Sequence, residues 1–183
     1  MRTLFLDRDG VVNVQIIDGY VMDPQQFVFH EGAIDALCGL RERFERMILV
    51  TNQQCVGKGL CTMAEIDAVH DWMTRRLQEH GFAFDKIYCC PHLASDGCTC
   101  RKPRPGMALQ AKQDFPEIDF SQSMMVGDSL SDMQFAQNAG LIAVHVGAIR
   151  HPEFEEIQKI TPRHFDSLLA FAKTLSISNY LKP

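Results

Sequence analysis

No stretch of the 183-residue chain is apolar for long enough to span a bilayer, which takes about 20 consecutive apolar residues, so no membrane role is expected. Basic excess is lacking too. Lys and Arg number 18 against 23 Asp and Glu, leaving a net charge of -5. That balance argues against the basic stripe of a nucleic-acid binder. No charged-then-apolar leader precedes the first strand-like segment, which points to a cytoplasmic protein. Internal repeats and low-complexity linkers are missing as well. The length suits one domain over residues 1–183 with a sizeable core, expected to be a monomer. Cysteine is not scarce: there are seven. Cys89, Cys90, Cys98 and Cys100 crowd into one segment, which in a reducing compartment suits a metal site better than disulfides.

Strand-like and helix-like segments alternate along the chain. Leu4-Phe5-Leu6 is a first buried strand, Met47–Val50 a second, Asp85–Cys89 a third, Ser123–Val126 a fourth and Leu141–Val144 a fifth. Between them, Gly32–Glu45 carries Ile34, Leu37, Cys38, Leu40 and Phe44 at helical spacing. Thr62-Met-Ala-Glu65 is a capping box heading a helix that runs to about His80. Helices are also expected over Pro105–Phe115 and Ser131–Ala139, and one or two more after Pro152. Residues 13–30 look like a loop or irregular hairpin, with turn signals at Asp18-Gly19 and Asp23-Pro24. The alternation predicts an α/β fold: a doubly wound, mainly parallel five-stranded sheet with helices on both faces.

The strand ends carry chemistry. Asp7 and Asp9 follow the first strand, Thr51 and Asn52 the second, Lys102 comes after the third, and Asp128 follows the fourth. In an open parallel sheet, ligands bind beyond the carboxyl ends of the strands, so these groups are expected along one edge. Two crowded carboxylates call for a metal, a shared proton or a cation. A carboxylate nucleophile, a hydroxyl, a lysine and further carboxylates together suit phosphoryl transfer with Mg²⁺. Asp7, Asp128 and the Asp9 carbonyl are the expected Mg²⁺ ligands. In Cys90-Pro-His92 and Cys98-Thr-Cys100, three thiolates and one imidazole form the ligand set of a closed, structural Zn²⁺ site. It would pin a loop at about 89–101 that delivers Arg101 and Lys102. Cys89 falls on the alternate side of its strand and is not an expected ligand.

Asp7-x-Asp9-Gly10, Thr51, Lys102 and Gly127-Asp128-x-x-x-Asp132, in that order, resemble the haloacid dehalogenase (HAD) superfamily. The resemblance implies that Asp7 is the nucleophile and that Asp9 is the general acid for the leaving group, then the base for water. Thr51 and Asn52 would bind the transferred phosphoryl with Gln53 beside them, Lys102 would neutralise it, and Asp132 would support Asp128 at Mg²⁺. The run Cys90-Pro-His…Cys-x-Cys-Arg-Lys-Pro103 narrows this to a zinc-containing subgroup without a large cap domain. That subgroup holds D-glycero-D-manno-heptose 1,7-bisphosphate 7-phosphatases, which work in nucleotide-heptose synthesis, and the histidinol-phosphate phosphatase domains. Asn13, Gly19-Tyr20-Val21, Gly57-Lys58-Gly59 and Pro105-Gly106-Met107 look like the heptose enzymes, whereas the short zinc loop looks like the histidinol-phosphate domain. Ser129 and Cys55 depart from the heptose pattern, where lysine and a small residue are usual. A small phosphorylated substrate is implied, and for a bisphosphate Arg101 and Lys58 would hold the second phosphate.

Overall fold

The computed structural model describes residues 1–148 and 153–177. Its core is one parallel sheet of six strands in the order β3-β2-β1-β4-β5-β6: β1 (Thr3–Leu6), β2 (Arg46–Asn52), β3 (Lys86–Cys90), β4 (Met124–Gly127), β5 (Ile142–Val146) and β6 (His164–Phe165). The helices are α1 (Ala33–Arg41), α2 (Gln54–Gly57), α3 (Met63–Gln78), α4 (Gly106–Asp114), α5 (Leu130–Ala139), α6 (Phe154–Ile160) and α7 (Leu168–Ile177).

The unbroken apolar runs make sense here, because a parallel strand is buried on both faces. Successive side chains point to opposite faces. Leu4 and Leu6 therefore enter one core with residues of α1, α3 and α7, while Phe5 enters the other with residues of α4, α5 and α6. The strand order reverses between β1 and β4, which pair directly through Leu4↔Met124 and Leu6↔Val126. That reversal opens a crevice just past Leu6 and Gly127. Among the described residues no inserted cap interrupts the alternation: residues 13–30 form an irregular hairpin with the isolated antiparallel bridge Asn13↔Phe29 and a short 3₁₀ turn at Pro24–Gln26.

One element differs from expectation. The sheet has six strands rather than five, because His164–Phe165 pairs with His145–Val146 beyond the fifth. A two-residue strand is too short to leave a periodic signal. The stretch after Thr51-Asn52-Gln53 is a single helical turn, closed by Lys58 N–H donating to the Gln54 carbonyl at 2.9 Å. Of the one or two helices expected after Pro152, two form, α6 and α7, and α7 packs against α1. The polar tail, residues 178–183, lies outside the described residues. No helix among the described residues is long and apolar enough to cross a membrane.

The α3 capping box forms as expected, with Thr62 Oγ1 accepting from Glu65 N–H at 3.2 Å and Glu65 Oε2 from Thr62 N–H at 2.7 Å. Replacing Thr62 by Ala should cost about 1 kcal/mol of unfolding free energy in urea titration and leave turnover untouched.

Candidate active site

Four carboxylates gather at the crevice, and each is held differently. Asp7 continues the β1 ladder, its N–H donating to the Val126 carbonyl at 3.0 Å. Its Oδ1 lies 2.7 Å from Lys102 Nζ. The same ammonium sits 2.7 Å from Asp132 Oδ1 and donates a hydrogen bond to the Val50 carbonyl at 2.9 Å. Asp132 is wholly buried on α5, and its Oδ2 accepts from Ser129 N–H at 3.2 Å and Ser129 Oγ at 2.6 Å. Ser129 is therefore the partner that fixes Asp132 at the head of α5, which gives the departure at this position a local reason.

Two glycines make this crowding possible. Gly10 has φ +87°, and a Cβ there would fall 1.9 Å from Asp128 Oδ2. A Cβ on Gly127 would meet the Asp132 Cβ at 2.2 Å.

Burial pushes the Asp7 carboxyl up to about 7; Lys102 opposes the shift, while Asp132 and Asp9 add to it. Burial, Asp132 and Asp7 likewise raise Asp128 well above the carboxylate range. Lys102 moves the other way from a buried amine: despite burial, Asp132 and Asp7 hold it protonated. Asp7, Asp128 and Asp132 offer oxygens within 4.8 Å of one another. Raised carboxyls that close describe a place short of a cation, and an all-oxygen donor set suits a hard ion such as Mg²⁺.

The Asp9 carboxylate stands apart from that trio. Oδ1 accepts from Asn13 Nδ2 at 2.9 Å and Arg8 Nη2 at 3.1 Å, and Oδ2 accepts from Gln53 Nε2 at 2.8 Å. Burial alone would raise its pKa, but the Arg8 charge and these donors prevail and hold it below the usual carboxylate range. Only its backbone carbonyl is left for the metal role expected from the sequence.

The remaining expected residues fall in three places. Thr51, Asn52, Arg101 and Lys102 line a cleft of about 240 Å³ together with Asp7, Asp9 and Asp128. Asn52 exchanges two 3.1 Å hydrogen bonds with the Lys102 backbone, so its amide clamps the lysine loop. Gln53 is buried beneath, its Nε2 bridging Asp9 and Thr51 Oγ1 at 2.8 Å each. It holds Asp9 and Thr51 from below rather than facing the cleft. Lys58 reaches the rim through Tyr20, which lines the cleft: Lys58 Nζ donates to the Tyr20 hydroxyl at 2.8 Å, and Gln54 Nε2 donates to it at 3.0 Å. Gln54 Oε1 accepts in turn from Arg101 Nη2 at 3.3 Å.

Sequence reading missed Tyr20, Arg8 and His145. Tyr20 looked like part of a turn. His145 Nε2 lies 3.1 Å from the Asp128 carbonyl and His145 Nδ1 lies 2.8 Å from His164 Nδ1. Because a carbonyl only accepts, His145 carries its proton on Nε2 and takes one from His164 on Nδ1.

The cysteine cluster assembles as expected. Cys90 closes β3, and its Sγ lies 3.6 Å from Cys98 Sγ and 3.1 Å from Cys100 Sγ; Cys98 and Cys100 are 3.6 Å apart. His92 Nδ1 lies 3.2 Å from Cys100 Sγ and 3.6 Å from Cys90 Sγ. Four soft donors converging at these separations fit a tetrahedral Zn²⁺ with ligand bonds of about 2.0–2.3 Å. Cys89 is not among them. The loop they enclose is tied to the active edge: Arg101 Nη1 donates to the His92 carbonyl at 3.3 Å and Arg104 Nη1 to the Cys98 carbonyl at 2.5 Å.

The raised carboxyls set a pH dependence. With metal chelated, the folded chain keeps protons on Asp7 and Asp128 that the unfolded chain releases near pH 4, so stability falls as pH rises through about 7. The melting temperature in chelator should therefore drop between pH 5 and 8, and saturating Mg²⁺ should remove most of the drop. A flat profile in chelator would show that these carboxyls are not raised.

Comparison with known proteins agrees with this geometry. The HAD-hydrolase-like family matches residues 99–170. The chain is 39% identical over 171 residues to a D-glycero-alpha-D-manno-heptose-1,7-bisphosphate 7-phosphatase of Mycobacterium tuberculosis, covering 92% of this chain and 88% of that one. It is 42% identical over 145 residues to the D-glycero-beta-D-manno-heptose-1,7-bisphosphate 7-phosphatase of Vibrio cholerae, covering 75% and 76%. A crystal structure of D,D-heptose 1,7-bisphosphate phosphatase from B. bronchiseptica with magnesium and phosphate superposes with a TM-score of 0.84 at 34% identity, covering 96% and 98%. The chain belongs to the heptose-1,7-bisphosphate 7-phosphatase family of HAD-like hydrolases.

Proposed function

We propose that the chain is a Mg²⁺-dependent phosphatase that hydrolyses the 7-phosphate of D-glycero-D-manno-heptose 1,7-bisphosphate through an aspartyl-phosphate. The observation that carries this reading is the division of labour between two aspartates two residues apart. Asp7 faces Lys102, Asp128 and Asp132, whereas Asp9 is held separately by Arg8, Asn13 and Gln53. An Asp7 oxygen attacks phosphorus as the bond to the sugar oxygen breaks, and Asp9 delivers a proton to that departing oxygen. Asp9 then takes a proton from the water that attacks the acyl phosphate, and Asp7 is regenerated with release of phosphate.

At rest Asp9 is ionised, yet a doubly charged phosphoryl group arriving beside it favours its protonated form. When bound by Asp7, Asp128 and the Asp9 carbonyl, with Asp132 in support, Mg²⁺ neutralises the phosphoryl oxygens. Thr51 supplies a hydroxyl at the cleft. Lys102 favours the ionised form of Asp7 and keeps it in place, through a loop that Asn52 and the Zn²⁺ ligands Cys90, His92, Cys98 and Cys100 fix.

Arg101 and Lys58 take the second phosphate, with Tyr20 between Lys58 and the cleft. The planar guanidinium of Arg101 suits a bidentate phosphate contact. The relatives include enzymes named for both the alpha and the beta anomer, and all of the named relatives act on the heptose bisphosphate. The heptose reading is therefore favoured over histidinol phosphate.

Phosphate release with Mg²⁺ should favour the heptose bisphosphate over histidinol phosphate by about 100-fold in kcat/KM, equivalent to about 2.7 kcal/mol; the reverse preference overturns the assignment. Asp7→Asn should abolish turnover on both while the protein still melts cooperatively. The purified chain should carry one zinc, and Cys98→Ser should lose it together with thermal stability and part of kcat.

A further inference from the structure

Arg8 lies between Asp7 and Asp9 and turns away from the cleft into the interior. It is fully buried, a setting in which a guanidinium must have its donors matched. Nη2 contacts Asp9 Oδ2 at 3.0 Å and Oδ1 at 3.1 Å. Nη1 lies 3.1 Å from His70 Nε2 on α3, and Nε has no hydrogen-bond partner. A guanidinium only donates, so His70 must present a lone pair at Nε2 and is neutral. Burial and the Arg8 charge keep it so, lowering its pKa to about 3. Nη1 of Arg8 thus has its target on helix α3, and Nη2 has its targets on Asp9 and, at 3.5 Å, on the Val21 carbonyl.

We infer that His70 is a positioning residue for proton transfer: by anchoring Nη1 of the buried Arg8, it fixes Nη2 and therefore the Asp9 carboxylate at the leaving-group oxygen. Without an acceptor at position 70, Nη1 is left unmatched and Arg8 turns to find another partner, carrying its grip on Asp9 with it. The inference rests on the reading of Asp9 as the general acid.

That dependence supplies the test, because an alkyl ester needs a proton on its leaving oxygen and an aryl ester with a stable phenolate does not. The readout is kcat/KM, which covers only the steps up to formation of the aspartyl-phosphate and so leaves out the base role of Asp9 that both substrates share; it is measured with Mg²⁺ for His70→Phe, His70→Gln, Arg8→Lys and Asp9→Asn on heptose 1,7-bisphosphate and on p-nitrophenyl phosphate. His70→Phe should lower kcat/KM on the sugar phosphate about tenfold, a fraction of what a positioned proton donor contributes, and by no more than about twofold on the aryl ester. His70→Gln, which restores an acceptor oxygen, should recover most of the loss. Arg8→Lys, with a single nitrogen in place of the fork, should show the same selectivity as His70→Phe. Equal losses on both substrates, or no loss, for His70→Phe and Arg8→Lys would overturn the inference while Asp9→Asn remains selective. If Asp9→Asn slows both substrates alike, the acid assignment itself fails, and the inference with it.

Discussion

Four carboxylates, Asp7, Asp9, Asp128 and Asp132, are drawn to the switch point of the sheet, and two buried cations, Lys102 and Arg8, stand against them. With every group ionised, the buried cluster would hold an excess of two negative charges, the charge of one divalent cation. Much of the surrounding structure answers this electrostatic constraint. Lys102 pairs with Asp7 and Asp132 and donates to the Val50 carbonyl. Asn52 and the cysteine loop hold its backbone, and Gly10 and Gly127 clear the space in which the carboxylates meet.

The two cations split the site into unlike halves. Around Lys102, carboxyls crowd one another and are driven toward their neutral form, ready to exchange protons for a metal. Around Arg8, one carboxylate receives several donors and is held ionised. Two aspartates, two residues apart, thereby acquire different proton affinities. Under the proposed mechanism one attacks as an anion, and the other gains and loses a proton as the phosphoryl group comes and goes.

The loops divide the remaining tasks. The hairpin after Gly10 contributes Tyr20, which links Lys58 and Gln54 to the cleft wall. The cysteine loop contributes Arg101 and Lys102 and ties back to α2, where Gly57 N–H donates to the Pro91 carbonyl at 2.9 Å. A guanidinium at the cleft wall and a buried ammonium at its base thus come from one loop.

The sequence by itself determined the alternating architecture, the carboxylate-bearing strand ends and the four soft donors of the cysteine loop. Each of these is a local pattern: an unbroken apolar run, a polar group at its end, or a ligand spacing. It could not determine the sixth strand, since two residues carry no period. Nor could it say that Gln53 lies under the site, that Asn52 grips a backbone fifty residues away, or that Ser129 caps Asp132. Arg8 is the sharpest case. In sequence it is a charged residue in a turn between two aspartates; only the packing of α3 against the sheet brings His70 within 3.1 Å and makes burial of that charge tolerable. Which partner a polar group finds depends on contacts between segments far apart in the chain, and those exist only once both faces of the sheet are covered.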